Sequence, residues 1–397
     1  WLLDLAATVR RQGFDWHGNY AAFRFSERTD FSGRAPGAVP YDERGEWKDH
    51  PTHVVNNAMG IKQPAVWWRQ SRDPSDRDGA ARAIAVLDRW HGQASGLFTG
   101  DEHLAGRSPS QGTELCAVVE YMYSLEVAAA ILGDPALGDR LERLAFNALP
   151  AGNSPDMWTH QYVQQANQVV CRRAEERLYV NNGPNANLFG IEPNFGCCTA
   201  NLHQGWPKFA AHLWMASPGG GLAAAAYSPC AVRAEAGGVP VEVDVATDYP
   251  FDDAVRISVR AARPARFPLH LRIPGWTEGA SLEIAGERAA PRPGTFHRLE
   301  REWKGETALV LRLPMPVRVL RRFRGAVAVE RGPLVYALRI GEEWRPVKGE
   351  PPRADYEVHP TTPWNYALAL DTDRPEAGLR FERRAAGERP FSPEGAP

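Results

Sequence analysis

Two periodicities divide the chain. As far as about residue 216, apolar residues recur at intervals of three and four, the spacing of one helix face. In AVVEYMYSLEVAAAIL the stripe is Val118, Met122, Leu125, Ala129 and Leu132, and Gly133-Asp134-Pro135 supplies the stop. Leu137, Leu141, Leu144 and Ala148 mark a second helix directly afterwards, so the pair is expected to be an antiparallel hairpin. HVVNNAMGIK, GAARAIAVLDRWHG (Ala80, Ile84, Leu87) and LHQGWPKFAAHLWMA (Trp206, Phe209, Leu213) carry similar stripes. Between them lie long polar or Gly/Pro-rich loops at 25–50, 93–112 and 150–195, and loops of that length are uncommon in a compact helical domain unless they build a site.

After SPGGGL at 217–222 the period becomes two. VPVEVDV alternates Val239, Val241, Val243 and Val245; VRISV, LHLRI and LVLRL repeat the pattern through Val255, Leu269 and Leu309. Short alternating strands punctuated by Pro and Gly predict an antiparallel β-sandwich. From about residue 345 the chain is rich in Pro, Arg and Glu, and its pattern predicts no element. The reading is therefore an α + β multidomain protein, with a helical domain over 1–216, a β-sandwich over 217–345 and an unassigned segment over 346–397.

Charge narrows the partners. A formal net charge of -2 with 24% charged residues gives no basic field for nucleic acid. No run reaches the roughly 20 apolar residues of a bilayer span, so a membrane is not expected. The opening WLLDLAATVRRQ reads as the interior of an amphipathic helix, with Leu2, Leu3, Ala6 and Val9 on one side, as if the chain began within a longer product. The compartment stays open between cytoplasm and secretion, and the oligomeric state is not legible. Thirteen tryptophans are a high count, and such rings suit sugars as well as cores.

Five cysteines are too few and too odd in number for a disulfide scaffold. Cys197 and Cys198 are adjacent, and neighbouring Cα atoms sit closer together than a disulfide ordinarily takes. With GTELC at 112–116 they make one carboxylate and three thiols, Glu114, Cys116, Cys197 and Cys198, a sufficient set for four-coordinate zinc. In a regular helix Glu114 and Cys116 would point about 200 degrees apart. Both can face one metal only if they straddle the helix entry, where Thr113 is the expected N-cap. Gly196 is expected to supply a bend that converges the cysteine pair. The competing reading is buried thiols acting as small hydrophobes, and it is preferred for Cys171 and Cys230.

Three stretches suit a hydroxyl-rich ligand. His53 and Asn56 lie a turn apart on a helix, and WTHQYVQQANQV places His160, Gln164 and Asn167 on one face if it is helical. His203 and Trp206 follow the cysteine pair, whereas Trp67-Trp68 reads as packing.

GDEHLAGRSPSQGTELCAVVEYMYSLE, FGCCTANLHQGWPKF, LRIPGW and VAVERGPLVYAL, spread over about 50–340, resemble the family 127 glycoside hydrolases and the β-L-arabinofuranosidase superfamily. The resemblance implies an (α/α)6 barrel, here short of helices at its N-terminal side, and a carbohydrate substrate. It also implies a zinc held by Glu114, Cys116, Cys197 and Cys198. Cys197 would be the nucleophile and Glu102 the acid/base, with Asp101 the fallback; a carboxyl with that task is expected to have a raised pKa. The expected reaction is retaining hydrolysis of terminal β-L-arabinofuranose. The alternatives are a hydrolase for another sugar, acidic or branched, for which Arg107 is the nearby basic residue, and a non-catalytic carbohydrate-binding or structural zinc protein.

Overall fold

The computed structural model describes residues 1–29, 50–175, 182–191 and 195–392. Parts of two expected long loops, 30–49 and 176–181 with 192–194, lie outside the described residues, as do 393–397 of the C-terminal segment.

Among the described residues, ten α-helices run in the order α1 (Leu2–Gln12), α2 (Trp16–Ala21), α3 (Val54–Gly60), α4 (Gln63–Ser71), α5 (Pro74–Arg77), α6 (Gly79–His91), α7 (Leu115–Leu132), α8 (Pro135–Arg143), α9 (Leu149–Ala151) and α10 (Gly196–Ala211). α7 is the axis, packed against α3, α4, α8 and α10. It is long and apolar enough by composition to cross a membrane, but most of it is buried inside the protein. The expected hairpin is present. Gly133 closes α7 at φ 63°, and the Asp134 side chain accepts from Ala136 N (2.9 Å) to start α8. One π turn, Leu144–Ala148, carries α8 into α9. α1 is helical as its pattern predicts, yet none of its residues is buried.

The sheets differ from expectation in two ways. VRISV and LHLRI belong to one twenty-residue strand, Ala254–Ile273, which pairs along its length with Thr295–Arg312. Two alternating runs merge because the chain stays extended through Ala262–Pro264, where the register shifts between Ala261 and Ala265. These strands lead an eight-stranded sheet that also contains Val239–Thr247 and Cys230–Ala236. Secondly, the segment after 345 is not featureless. Glu342–Lys348 and Asp355–Pro360 form a hairpin that pairs, through Phe189–Gly190, with His160–Gln161 from the helical part. Its register slips at Pro346, and its partners lie far off in sequence, so local alternation conceals it.

One apolar core runs through helices and the large sheet, and a buried ion cluster ties them. Arg272 is fully buried on its strand; Nε donates to Ala225 O (2.7 Å), Nη2 meets Glu142 of α8 (2.5 Å), and Nη1 pairs with Asp139. Glu142 also accepts from Tyr227 N (2.8 Å) and Tyr249 Oη (2.5 Å). Gly138 makes room, since a Cβ there would lie 2.6 Å from both Ala225 O and Arg272 Cδ. Arg272→Met should therefore cost about 3–5 kcal/mol, because it strands the buried Glu142 and the half-buried Asp139, and Gly138→Ala about 1–3 kcal/mol through overpacking. Denaturant titration of both variants checks this; an Arg272→Met protein as stable as the parent would show that the cluster does not hold helix to sheet.

Candidate active site

The loops around α7 fold into a small sheet, and that sheet delivers the chemistry. Gly100–Asp101 pairs with His103–Leu104 and with Gly112–Glu114, which in turn pairs with Val163–Gln165. The last pairing is close: a Cβ on Gly112 would meet Val163 Cγ1 at 2.1 Å.

Glu114 ends its strand and is the N-cap of α7, with φ -63° and ψ 136°. Cys116 is the second residue of the helix, so carboxylate and thiol do straddle the entry. Thr113 is not the cap. It is a strand residue whose hydroxyl donates to Phe98 O (3.0 Å). The cysteine pair differs from expectation as well. Gly196 is the first residue of α10 and is itself helical, not a bend; the helix places Cys197 and Cys198 side by side in its first turn. Two helix N-termini thus face one point, where their partial positive charge favours thiolate and carboxylate. The ligand atoms of Glu114, Cys116, Cys197 and Cys198 all lie within 4.8 Å of one another, and only Cys197 is exposed. Cys116 Sγ and Cys198 Sγ are 3.4 Å apart.

Electrostatics sorts these groups. Hydrogen bonding from the Cys198 thiol, with help from Cys116 and the Cys198 amide, brings the Cys197 thiol down to about 6 against the pull of burial. Cys198 is pushed upward by its hydrogen bond with Cys116, then by the one with Cys197 and by burial. Burial, then the proximity of Cys116 and Glu102, raises Glu114 well above the carboxylate range, and a cation in the cluster would reverse that sign.

Glu102 stands at the apex between two paired strands with φ 62°, a backbone that non-glycine residues seldom adopt. Val54 N at the start of α3 donates to its carbonyl (2.8 Å). His53 caps α3 by accepting at Nδ1 from Asn56 N (3.3 Å), which leaves the proton on Nε2, 3.4 Å from Glu102 Oε2. Tyr162 Oη (2.8 Å) and Asn182 Nδ2 (2.8 Å) both donate to Oε1. Contrary to the expected raised carboxyl, the bond from His53 first, and then that from Tyr162, hold Glu102 below its ordinary value despite burial. Asp101 is buried next door and accepts from Asn182 N (3.0 Å).

The remaining expected residues separate. WTHQYVQQANQV is extended, not helical: His160–Gln161 and Val163–Gln165 are strands, recruited by pairing with Phe189–Gly190 and Gly112–Glu114. His160 is buried with Nε2 2.8 Å from Thr199 Oγ1, one residue beyond Cys198. Gln164 donates to Ala148 O (2.9 Å), and Asn167 is an exposed turn residue. Asn56 lies 3.4 Å from His50 Nδ1. His203 is exposed on α10, while Trp206 packs against Phe209 and Phe391. Trp68 lies under Arg72 and Arg77, at 5.2 and 5.9 Å.

Tyr162 and Asn182 were not foreseen. Tyr162 is fully buried, stacked on Phe195 at 4.0 Å, and its hydroxyl also lies 3.3 Å from Glu114 Oε2, so it links the two carboxylates. A period-two reading of HQYVQ would have put it between His160 and Gln164.

The architecture is that of solved glycoside hydrolases. A GH127 β-L-arabinofuranosidase from Geobacillus stearothermophilus T6 superposes with TM-score 0.61 at 18% identity, covering 82% of this chain and 62% of its own. A second glycoside hydrolase gives 0.62 at 17% identity, covering 85% and 64%. A GH127 β-arabinofuranosidase gives 0.56 at 16%, covering 77% and 56%. The chain thus spans less than two thirds of the length of each, and at such identities the likeness is one of fold. No curated protein matches. The family model described as β-L-arabinofuranosidase, GH127 middle domain, matches residues 221–315. The comparisons thus agree with the family that the motifs resemble: residues 221–315 match its middle-domain model, and the fold is that of solved GH127 enzymes.

In metal-free protein, Cys197 should be the first thiol alkylated by iodoacetamide, with a rate that rises with pH through a midpoint near 6 as the thiolate forms. Preferential labelling of Cys116 or Cys198, or a midpoint in the ordinary thiol range, would contradict the arrangement.

Proposed function

We propose that this chain carries the reacting centre of a zinc-dependent retaining glycoside hydrolase that removes terminal β-L-arabinofuranose from glycans. The observation that carries the reading is the convergence of Glu114, Cys116, Cys197 and Cys198 within 4.8 Å, with only Cys197 reaching solvent. The donor set fits the metal. Zinc ligated tetrahedrally at about 2.3 Å by sulfur holds its sulfurs roughly 3.8 Å apart, and a buried carboxyl crowded by thiols and a second carboxyl calls for a cation. When bound, zinc would keep the thiols as thiolates and temper their nucleophilicity.

In this reading Cys197 Sγ attacks the anomeric carbon, the glycosidic C–O bond breaks, and Glu102 gives its proton to the leaving oxygen. Water then attacks the thioglycosyl carbon, Glu102 takes a proton from it, and Cys197 departs as thiolate, with net retention. Without a sugar, Glu102 is held in the form suited to the second step. A sugar hydroxyl that drew His53 Nε2 or the Tyr162 hydroxyl away would raise its pKa, the direction the first step requires. His53 and His160 are the sugar contacts this geometry favours. We infer also that residues up to about 216 are part of an (α/α)6-type barrel and that 217–345 form a β-sandwich domain.

Zinc should co-purify at about one equivalent, and Cys116→Ser should lose it. Cys197→Ser should abolish turnover of an aryl β-L-arabinofuranoside. Glu102→Gln should spare the first step with a good leaving group, so that a one-sugar mass increment accumulates on the peptide bearing Cys197. Product of inverted configuration, or a mechanism-based label on a carboxylate, would sink the cysteine mechanism; one zinc with no turnover and no labelling of Cys197 would leave a structural zinc clip.

A further inference from the structure

The loop that carries Glu102 continues to Arg107, and there it meets a hairpin of the β-structure, Val317–Arg321 with Val327–Arg331. The tip of that hairpin reads Arg321-Arg322-Phe323-Arg324 and turns tightly, with Arg324 at φ 55° and Gly325 at φ 79°. Phe323 lies between two guanidiniums: Arg107 Cζ is 5.7 Å from the ring centroid and Arg324 Cζ 5.1 Å. Arg140 and Arg143 of α8 and Arg318 of the hairpin are near enough to act on one another and on Arg322 electrostatically.

The local carboxylates are already engaged. Asp88 pairs with Arg140, and Glu330 with both Arg143 and Arg318, the latter at 3.4 Å. Among the described residues, Arg107, Arg322 and Arg324 form no ion pair with a carboxylate, although Asp88 attracts Arg322 from farther away. Nε of Arg143 and Nε of Arg322 are buried without a hydrogen-bond partner. Burial, then Arg140, Arg322 and Arg318, brings Arg143 down to about 10. Positive charge is concentrated here in a chain whose formal net charge is -2. Guanidiniums fixed by an aromatic ring present forked donors, which match a planar carboxylate in a way that a solvated lysine does not.

We propose that Arg107, Arg322 and Arg324, grouped around Phe323, form a subsite for the carboxylates of a uronate-containing glycan. Resting on the function proposed above, this makes the substrate a terminal sugar carried on an acidic chain, with the acidic part held where the Glu102 loop meets the hairpin.

The test is calorimetric titration of the full chain with an oligogalacturonide, with the same oligomer methyl-esterified to neutrality, and with inorganic phosphate. The acid form should bind and weaken with salt, while the ester and phosphate should not bind measurably. Arg107→Ala and Arg324→Ala, both at exposed positions, should each weaken binding about tenfold or more, the loss of one charge-assisted contact. Equal binding of ester and acid, equal binding of phosphate alone or of an oligonucleotide of matched charge, or affinity unchanged in the double variant would each overturn the subsite. Because titration needs no turnover, failure of the two readings is separable. Acid-specific binding without release of arabinofuranose defeats the hydrolase alone, and turnover of an aryl arabinofuranoside without acid-specific binding defeats the subsite alone.

Discussion

The site is governed by a single constraint: groups that all become negative are packed against one another. Three sulfurs and the Glu114 carboxylate lie within 4.8 Å, and the Tyr162 hydroxyl bridges Glu114 to Glu102 at 3.3 and 2.8 Å. Once ionised, such groups repel one another, and the hydrogen bonds among them hold only while protons remain to be shared. Their assembly has to be imposed by the backbone, and it is: the N-termini of α7 and α10 and a sheet of very short strands fix the Cα positions before any side chain interacts. Helix N-termini offset part of the repulsion. The remainder shows as a carboxyl and a thiol driven upward, Glu114 and Cys198, and it is this residual strain that a bound cation would relieve.

The Arg272 cluster answers the opposite requirement. There two carboxylates, Asp139 and Glu142, are compensated within the protein by one buried guanidinium and by donors from Tyr227 and Tyr249. That compensation holds α8 against the large sheet, and α8 in turn follows α7 across a two-residue turn. The rigidity of the cysteine cluster therefore extends, through α7 and α8, into a part of the sheet that has no direct contact with it. His91 adds a second restraint. Buried, with Nδ1 accepting from Gly106 N at 2.9 Å and Nε2 2.6 Å from Phe25 O, it fixes the loop between Glu102 and Glu114.

Legibility in the sequence followed the range of the interactions. The α7–α8 hairpin could be read because its stripe, its stop and its cap are all local. The four-donor cluster could be read because cysteines are rare and adjacent ones rarer, so residue type alone drew attention to them. Thr113 as cap failed because strand pairing to Gly100 and Gln164 outweighs a local capping preference. The helical face of His160, Gln164 and Asn167 failed because spacings of three and four in a short segment do not exclude an extended chain. Asn182 and the hairpin at 342–360 were out of reach, since each acquires its role from partners more than 75 residues away.

Exposure and hydrogen bonding together separate the two adjacent cysteines. Successive residues in a first helical turn point about 100 degrees apart, so a cluster centred between two helices can bury one thiol of the pair and leave the other at its rim. Cys198 turns inward to Cys116, while Cys197 keeps an open side and receives the hydrogen bonds that favour its thiolate. The adjacency thereby has a physical reason: one backbone segment supplies both an anchored sulfur and a reachable one.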